Sequence, residues 1–403
     1  MALKHFFGIL VFALTGIGSL AAADAAPATD AVINQLWDFC VKTYHSPDTG
    51  MFYGRAPKDI PPPSAFPTRE QYRKGQYRTQ PYKKGDENTV GFNSHGGGSG
   101  LEDSSLFTGT LLGAICDKYL VTQSPNCREE ARMTYRGLHS AATAHGEPGF
   151  IARGVSPADG KTIPAGSSRD QYTNALYGMW RYYRSGLADN REKAEIRQIS
   201  AAVADKMLRE ITPANNYSFT FAFGVPDDRG VAKMFNPQIP ALGFRLAMFY
   251  AVAADVNGNP NYRAAAEKYL TEALKGMQEQ RPAPQSKRAQ PAYVILQSGY
   301  AYDVLTAVFA KSPHAAALTA QAKAEVARVL ATPEYALTKG NVRCKSEVIN
   351  GLLKTHGGFT PTPEVWKVLN TMVKVLGPRG KGYPDSNYNL IGAYWAARAA
   401  GAK

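Results

Sequence analysis

The sequence has few of the patterns that indicate β-structure, a metal site or a membrane span. Alternating apolar and polar runs that meet at Asn-Gly-type turns are scarce, which disfavours a core built from strands. The motifs C-x-x-C and H-E-x-x-H are absent, so a zinc site has little support. Beyond the start of the chain, no segment is long and apolar enough to cross a bilayer. We therefore expect a helical protein with no metal and no cofactor.

Cysteine is also rare, with four residues in a chain of 403. They are Cys40, Cys116, Cys127 and Cys344. A chain of this length can bury a large core without relying on disulfides. Cys116 and Cys127 flank a predicted helix–helix turn and could pair, although the sequence does not establish the connectivity.

The start of the chain has the layout of a secretory signal peptide. A cationic beginning precedes the apolar run Phe6–Leu20, and residues 23–25 fit an A-x-A cleavage site. The run is short and interrupted by glycines, which disfavours a permanent membrane anchor. We predict a signal peptide over 1–25 and a single domain over 26–403. The mature protein is then secreted or periplasmic, with no membrane span after cleavage.

Basic residues outnumber acidic ones, 46 to 33, giving a formal net charge of +13. This excess fits an anionic glycan, a membrane surface or nucleic acid, and equally a generally basic surface. The stretch REQYRKGQYRTQPYKK, residues 69–84, interleaves tyrosine with Lys and Arg as a nucleic-acid groove can. Its loop composition and the signal peptide favour an acidic oligosaccharide or polysaccharide as the partner instead. The oligomeric state is left open.

Segments with the apolar period of an α-helix are numerous and predict an all-α fold. We place twelve helices at 30–44, 102–121, 127–145, 169–186, 189–210, 239–256, 261–279, 292–310, 315–331, 345–356, 363–376 and 386–400. Helices that follow long links are apolar on most sides, which suits an inner position. Helices that follow short links carry a charged face, which suits an outer position.

The links between these helices alternate in length. Links such as 122–126 and 257–260 are short, whereas 45–101, 146–168 and 213–238 are long. Short links join antiparallel neighbours. The alternation therefore predicts an (α/α)6 toroid of six helical hairpins with its long loops at one end. An α-solenoid is the main alternative, but no residue signature repeats at a fixed period.

Two predicted inner helices begin with glycine and serine followed by a carboxylate. GGGSGLEDSSLFTG contains Asp103, and AGSSRDQYTNALYG contains Asp170. Either carboxylate could simply stabilise its helix through the dipole. Cleavage of a glycosidic bond commonly needs two carboxyl groups, so we also take this pair as catalytic candidates. Both helix starts and the nearby Arg169 favour ionised carboxylates, so the acid needs burial or a negative neighbour.

Further residues of the predicted long-loop end could contact a substrate. The candidates are His95, Arg153, Arg169, Tyr172, Trp180 and Asn387. Arg153 and Arg169 could hold a sugar carboxylate through paired hydrogen bonds. Tyr172 and Trp180 could stack on sugar rings, although their helical spacing also suits core packing. His95 lies in the glycine-rich loop FNSHGGGSG, which lacks the spacing of a phosphate-binding loop.

With these features the sequence resembles the six-hairpin glycosidase-like (α/α)6 superfamily across most of the mature chain. Its layout is similar to that of the unsaturated glucuronyl hydrolases, whose two key aspartates begin separate early inner helices. The resemblance implies that Asp170 protonates the unsaturated uronyl double bond and then helps water to add. It implies an assisting role for Asp103. The stretch SSRDQYT departs from that family's local motif, and a histidine usual beside the first aspartate is missing.

The sequence is compatible with three functions. The first is a glycoside hydrolase that acts on glycans containing uronic acid. The second is a polysaccharide lyase, for which Asn93, His95, Arg169 and Tyr172 could neutralise the uronate and remove a proton. The third is a non-catalytic glycan-binding toroid in which the two aspartates only stabilise their helices.

Overall fold

The computed structural model describes residues 20–77, 92–227, 229–279, 290–335, 337, 340–380 and 384–401, with side chains from residue 29. Within these residues two isolated β-bridges are the only strand-like pairing. The helices are α1 (Leu20–Tyr44), α2 (Arg69–Arg73), α3 (Ser104–Thr122), α4 (Asn126–Thr143), α5 (Arg169–Arg184), α6 (Asn190–Glu210), α7 (Phe244–Asn257), α8 (Pro260–Glu279), α9 (Ala292–Val308), α10 (Ala315–Leu330), α11 (Val342–Lys354), α12 (Pro363–Leu376) and α13 (Pro384–Gly401).

All twelve predicted helices are present, with ends that differ by a few residues in most cases. The predicted helix 239–256 begins later, at Phe244, because Pro240–Gly243 forms a 3-10 turn ahead of it. The short helix α2 was not predicted, and Thr68 and Gln71 cap its start reciprocally. The predicted signal peptide and the end of the basic stretch 69–84 lie largely outside the described residues. No helix in the described part of the chain has the length and apolar character needed to span a membrane.

Six helices form an inner ring. They are α3, α5, α7, α9, α11 and α13, each packs against the next, and α13 returns to α3. The outer helices α4, α6, α8, α10, α12 and α1 pack against this ring. The core is mostly one continuous apolar cluster. The predicted (α/α)6 toroid is confirmed.

Neighbouring inner helices approach closely where glycines face each other's backbone. A Cβ on Gly109 of α3 would lie 2.2 Å from the Asn174 carbonyl oxygen of α5. A Cβ on Gly299 of α9 would lie 2.3 Å from the Gly351 carbonyl oxygen of α11. No side chain fits at either crossing, so glycine sets the spacing of the ring.

The first and last helices close the toroid. The carboxylate of Asp30 on α1 accepts hydrogen bonds from the Tyr394 hydroxyl and from Arg398 on α13. At the other end of the same pair, the rings of Tyr44 and Tyr388 meet edge to face at 6.3 Å. The sixth hairpin is therefore assembled from two segments that are distant in sequence.

The inner helices all point the same way, as their contacts at each end demonstrate. Near their C-terminal ends, Arg181 contacts Asp117 at 2.6 Å and Asp303 at 3.0 Å, and Lys354 contacts Asp117 at 2.6 Å. This buried ionic network joins α3, α5, α9 and α11 at the end where the short links lie. The starts of the inner helices, and the long links that precede them, lie at the opposite end.

Candidate active site at the mouth of the toroid

We call the end formed by the starts of the inner helices the mouth. Its charged and amide side chains come from the N-cap or the first two turns of all six inner helices: Asp103, Asp170, Arg245, Gln297, Arg343, Glu347 and Asp385. Asp103 contributes to the electrostatic environment of Arg343 and Glu347 across the ring. Asp170 likewise acts on Arg153 and Tyr293. The mouth is thus one electrostatically connected site.

Asp103 occupies the N-cap position of α3, but its side chain makes no capping hydrogen bond. Its Oδ1 instead accepts a hydrogen bond from Nε2 of Gln171 at 3.0 Å. Nη1 of Arg153 lies 3.5 Å from the same oxygen. The side chain remains 38% exposed. Capping therefore does not explain this carboxylate, which two side chains hold toward the open mouth.

Asp170 lies in the first turn of α5 and is held from a neighbouring inner helix. Its Oδ1 accepts a hydrogen bond from Nη1 of Arg245 at 2.7 Å. Arg245 also donates to Oε1 of Gln297 on α9. The Asp170 side chain is 26% exposed. A partly buried arginine and an amide therefore position a carboxylate that solvent still reaches.

Arg153, from the α4–α5 link, is almost completely buried beside Asp103. Its side chain and backbone are 7% exposed, and Nη1 donates to the Glu102 carbonyl oxygen at 2.7 Å. Its buried Nε has no hydrogen-bond partner among the described residues. Burial lowers the pKa of Arg153, and the charge of Arg229 lowers it further, against the opposing effect of Asp103.

Arg169 is occupied by backbone carbonyl groups, and the predicted carboxylate clamp with Arg153 stays a prediction. Its Nη1 donates to the carbonyl oxygens of Gly230 at 3.3 Å and Lys233 at 3.1 Å. Its backbone N–H donates to the Val231 carbonyl oxygen at 3.0 Å. The guanidinium is therefore directed to the α6–α7 link, and Arg245 takes the place beside Asp170 that the sequence suggested for Arg169.

His95 is buried at the edge of the mouth. Its ring meets Phe221 edge to face at 5.3 Å. Burial, together with the charges of Arg153 and Arg229, lowers the pKa of His95 to about 3. The imidazole is consequently neutral at physiological pH. The Asn93 side chain accepts from the backbone N–H groups of His95 and Gly97, which fixes the glycine-rich loop.

Of three other predicted substrate contacts, Tyr172 and Asn387 are buried at the starts of their helices, and Trp180 lies at the opposite end. The Tyr172 hydroxyl is fully buried, donating to the Gly149 carbonyl and accepting from the Ile151 N–H. Trp180 lies three turns along α5, at the short-link end, where its indole donates to Asp255 at 2.8 Å. Asn387 is buried under Gly380, whose added Cβ would come 2.5 Å from its Nδ2. The substrate contacts proposed for these three side chains stay predictions.

Several residues of the mouth were missed. Glu347 is 2% exposed and accepts from Nε of Arg343 at 2.8 Å. Burial raises the pKa of Glu347 against the opposing effect of Arg343. Arg343 also contacts Asp385 at 2.5 Å. For Arg245, another residue that was missed, the sequence carried one signal: it is the only charged residue in PALGFRLAMFYAVAA.

Three clefts lie outside the mouth of the toroid. Clefts of about 280 and 770 Å³ lie between outer helices, and one of about 470 Å³ lies at the short-link end. None of the three is lined by Asp103 or Asp170. Among the described residues, no three or more His, Cys, Asp or Glu side chains are grouped to hold a metal ion. All four cysteines are free thiols, including Cys116 and Cys127.

Solved structures share this architecture. Cellobiose 2-epimerase from Spirochaeta thermophila matches with a TM-score of 0.55 and 13% identity, over 96% of this chain and 99% of its own. A family 76 glycoside hydrolase, a mannosidase from Bacteroides thetaiotaomicron, matches with a TM-score of 0.50 and 9% identity, over 94% and 98%. The chain has the fold of the six-hairpin glycosidase-like (α/α)6 superfamily.

An unsaturated glucuronyl hydrolase specific for heparin also matches, with a TM-score of 0.49 and 12% identity over 92% of this chain and 96% of its own. At this score the match carries no argument about substrate. A scan of the sequence against protein-family models finds no match, and a search among curated proteins finds none. The matched structures are carbohydrate-active enzymes, and the likeness to them concerns the fold.

Proposed function

We propose that this protein is a secreted or periplasmic glycoside hydrolase that acts on glycans containing uronic acid. The observation that carries the proposal is the pair Asp103 and Asp170, which begin adjacent inner helices. Each is partly exposed and is held by side chains of other segments rather than by capping its own helix. The mannosidase and the epimerase with the same fold act on carbohydrates by name, which agrees with a sugar substrate at this mouth.

Asp170 is the proton-transferring group of the proposed reaction. In the free protein, its carboxylate accepts a hydrogen bond from Arg245. A bound uronic acid brings a second negative charge and displaces water, and both changes favour protonation of a neighbouring carboxylate. Asp170 then donates this proton to the bond being broken and takes one back from the water that adds. Asp103 stabilises the positive charge that develops on the sugar, so the two aspartates divide the roles of a glycosidase pair.

The lyase alternative loses one of its two candidate bases, Tyr172, and keeps the other, His95. The Tyr172 hydroxyl is buried between Gly149 and Ile151 and does not face the mouth. An epimerase is the second candidate, since a cellobiose 2-epimerase shares the fold. The three reactions differ in their products. Hydrolysis adds the mass of one water, epimerisation leaves the mass unchanged, and a lyase creates a double bond that absorbs ultraviolet light.

The test is a screen of uronic-acid oligosaccharides, with and without prior lyase cleavage, using the wild type and Asp170→Asn. Asn keeps the size of the side chain but cannot exchange the proton. We expect an unchanged melting temperature and a turnover reduced roughly 10²–10⁴-fold. Asp103→Asn is also expected to reduce turnover severely. The double variant should lose less than the two single losses combined. Asp38→Asn, on the exposed side of α1, is the matched control. Near-normal turnover by a folded Asp170→Asn protein would contradict the proposal.

A further inference from the structure

The first N–H groups of α3 are satisfied without the side chain of its own N-cap residue. An aspartate at an N-cap ordinarily accepts a hydrogen bond from a backbone N–H of the first turn. Asp103 holds that position but makes no such bond. The Ser105 N–H donates instead to the Arg153 carbonyl oxygen at 2.8 Å. The Leu106 N–H donates to Oε1 of Gln171 at 3.0 Å. Other segments therefore supply the acceptors, and α3 does not need the Asp103 carboxylate as a cap.

Two backbone groups fix the orientation of the Gln171 amide. The Leu106 N–H can only donate, so the amide oxygen faces it. The Glu102 carbonyl can only accept, so the amide nitrogen faces it, at 3.1 Å. The second hydrogen of this Nε2 is donated to Oδ1 of Asp103 at 3.0 Å. One amide thus replaces Asp103 as the cap of α3 and also holds the carboxylate that this replacement releases.

Gln171 directly follows Asp170, so one residue links the positions of both candidate catalytic carboxylates. Its backbone belongs to the first turn of α5, and its side chain binds the start of α3. We infer that Gln171 is a positioning residue that caps α3 in place of Asp103 and keeps the Asp103 carboxylate available for reaction, an inference that rests on the proposed function. Gln171 is 0% exposed, so it acts through Asp103 and not by touching substrate.

Asn174 offers a matched control, because it is a second fully buried amide that joins α5 to α3. Its Nδ2 donates to Oγ1 of Thr110 at 2.9 Å, further along α3 than Asp103. Gln171→Glu and Asn174→Asp each exchange an amide for a carboxyl group of the same size, and both should lower the melting temperature. On the substrate found by the screen, Gln171→Glu should lower kcat about 10–100-fold with KM little changed, because a displaced carboxylate is felt in the transition state. Asn174→Asp should keep the kcat of the wild type.

Hydrogen exchange at the Leu106 amide tests the capping without any substrate. Met is close to Gln in length but offers no strong acceptor to this N–H. Gln171→Met should therefore raise the exchange rate of the Leu106 amide roughly 2–30-fold, which is the effect of losing a cap. Asp103→Asn should leave that rate as it is in the wild type.

Equal losses of kcat in Gln171→Glu and Asn174→Asp would indicate a general packing effect and overturn the inference, as would the kcat of the wild type in Gln171→Glu. Unchanged exchange at Leu106 in Gln171→Met, or faster exchange in Asp103→Asn, would overturn the capping. If Gln171→Glu does not fold, Gln171→Met and Asn174→Leu provide the same comparison. Failure of the proposed function looks different: Asp170→Asn would then retain turnover, while exchange at Leu106 would still depend on Gln171.

Discussion

At the scale of single residues, the carboxylates of the mouth depend on partners from other helices. Arg245 lies 75 residues from Asp170 in the chain, and Gln171 lies 68 residues from Asp103. Positioning of this kind costs little reorganisation when a substrate arrives, because the side chains are already oriented. Substituting these partner residues, which never touch substrate, should therefore change the proposed activity of the two aspartates.

Arg245→Gln is expected to lower turnover in the proposed reaction more than it lowers stability. The substitution removes the charge-assisted hydrogen bond that holds the Asp170 carboxylate, so this side chain is less well positioned. The check is turnover and melting temperature, measured beside Arg184→Gln, which breaks an Arg–Asp pair at the opposite end. Equal turnover of the wild type and Arg245→Gln would argue against positioning.

His95 should make the protein sensitive to mild acid. Its pKa in the folded protein, about 3, is far below the value near 6.5 of an unfolded chain. The unfolded state thus takes up the proton first, so stability is complete above pH 6.5 and is lost as the pH falls toward 3. This residue alone should cost about 2 kcal/mol between pH 7 and pH 5. Denaturant unfolding should show a weaker pH dependence for His95→Gln; equal dependence would contradict the assignment.

At the scale of helices, sequence periodicity was sufficient for the architecture and insufficient for the site. The period of apolar residues and the lengths of the links located the inner and outer helices. The period follows from which helix face is buried, and a short link can join only neighbouring helices. The direction of a side chain depends on its tertiary partners. Arg169 turned toward the α6–α7 link, and Trp180 followed α5 away from the mouth.

Gly109→Ala tests the helix crossings. The added methyl group would overlap the Asn174 carbonyl, which belongs to rigid helix backbone. We expect a loss of about 1–3 kcal/mol or more, because α3 and α5 must separate to admit it. Gly401→Ala, at the end of α13, is the control, since its Cβ would meet only Pro361 at 3.9 Å. Equal stability of the two variants in chemical denaturation would show that the crossing tolerates a side chain.

At the scale of the whole molecule, the toroid depends on the pairing of α1 with α13. Asp30 accepts hydrogen bonds from Tyr394 and Arg398; Tyr394 is fully buried, and the other two side chains are partly buried. Removing the carboxylate takes this acceptor away from both donors. Asp30→Ala should therefore destabilise the protein by about 1–3 kcal/mol. Asp38→Ala, on the same helix but exposed, should have little effect. Circular dichroism melts of both variants decide this, and matching melts would mean the closure does not need Asp30.

The pairing of α1 with α13 also determines how late in synthesis the ring can close. Asp30 and Arg398 are separated by 368 positions, which a ribosome translates in roughly 20–70 s at 5–20 residues per second. Until α13 emerges, the apolar faces of α3 and α11 that it covers have no partner in the growing chain. The nascent protein therefore presents an unfinished ring for most of its synthesis, and a chaperone that shields those two faces would suit its folding.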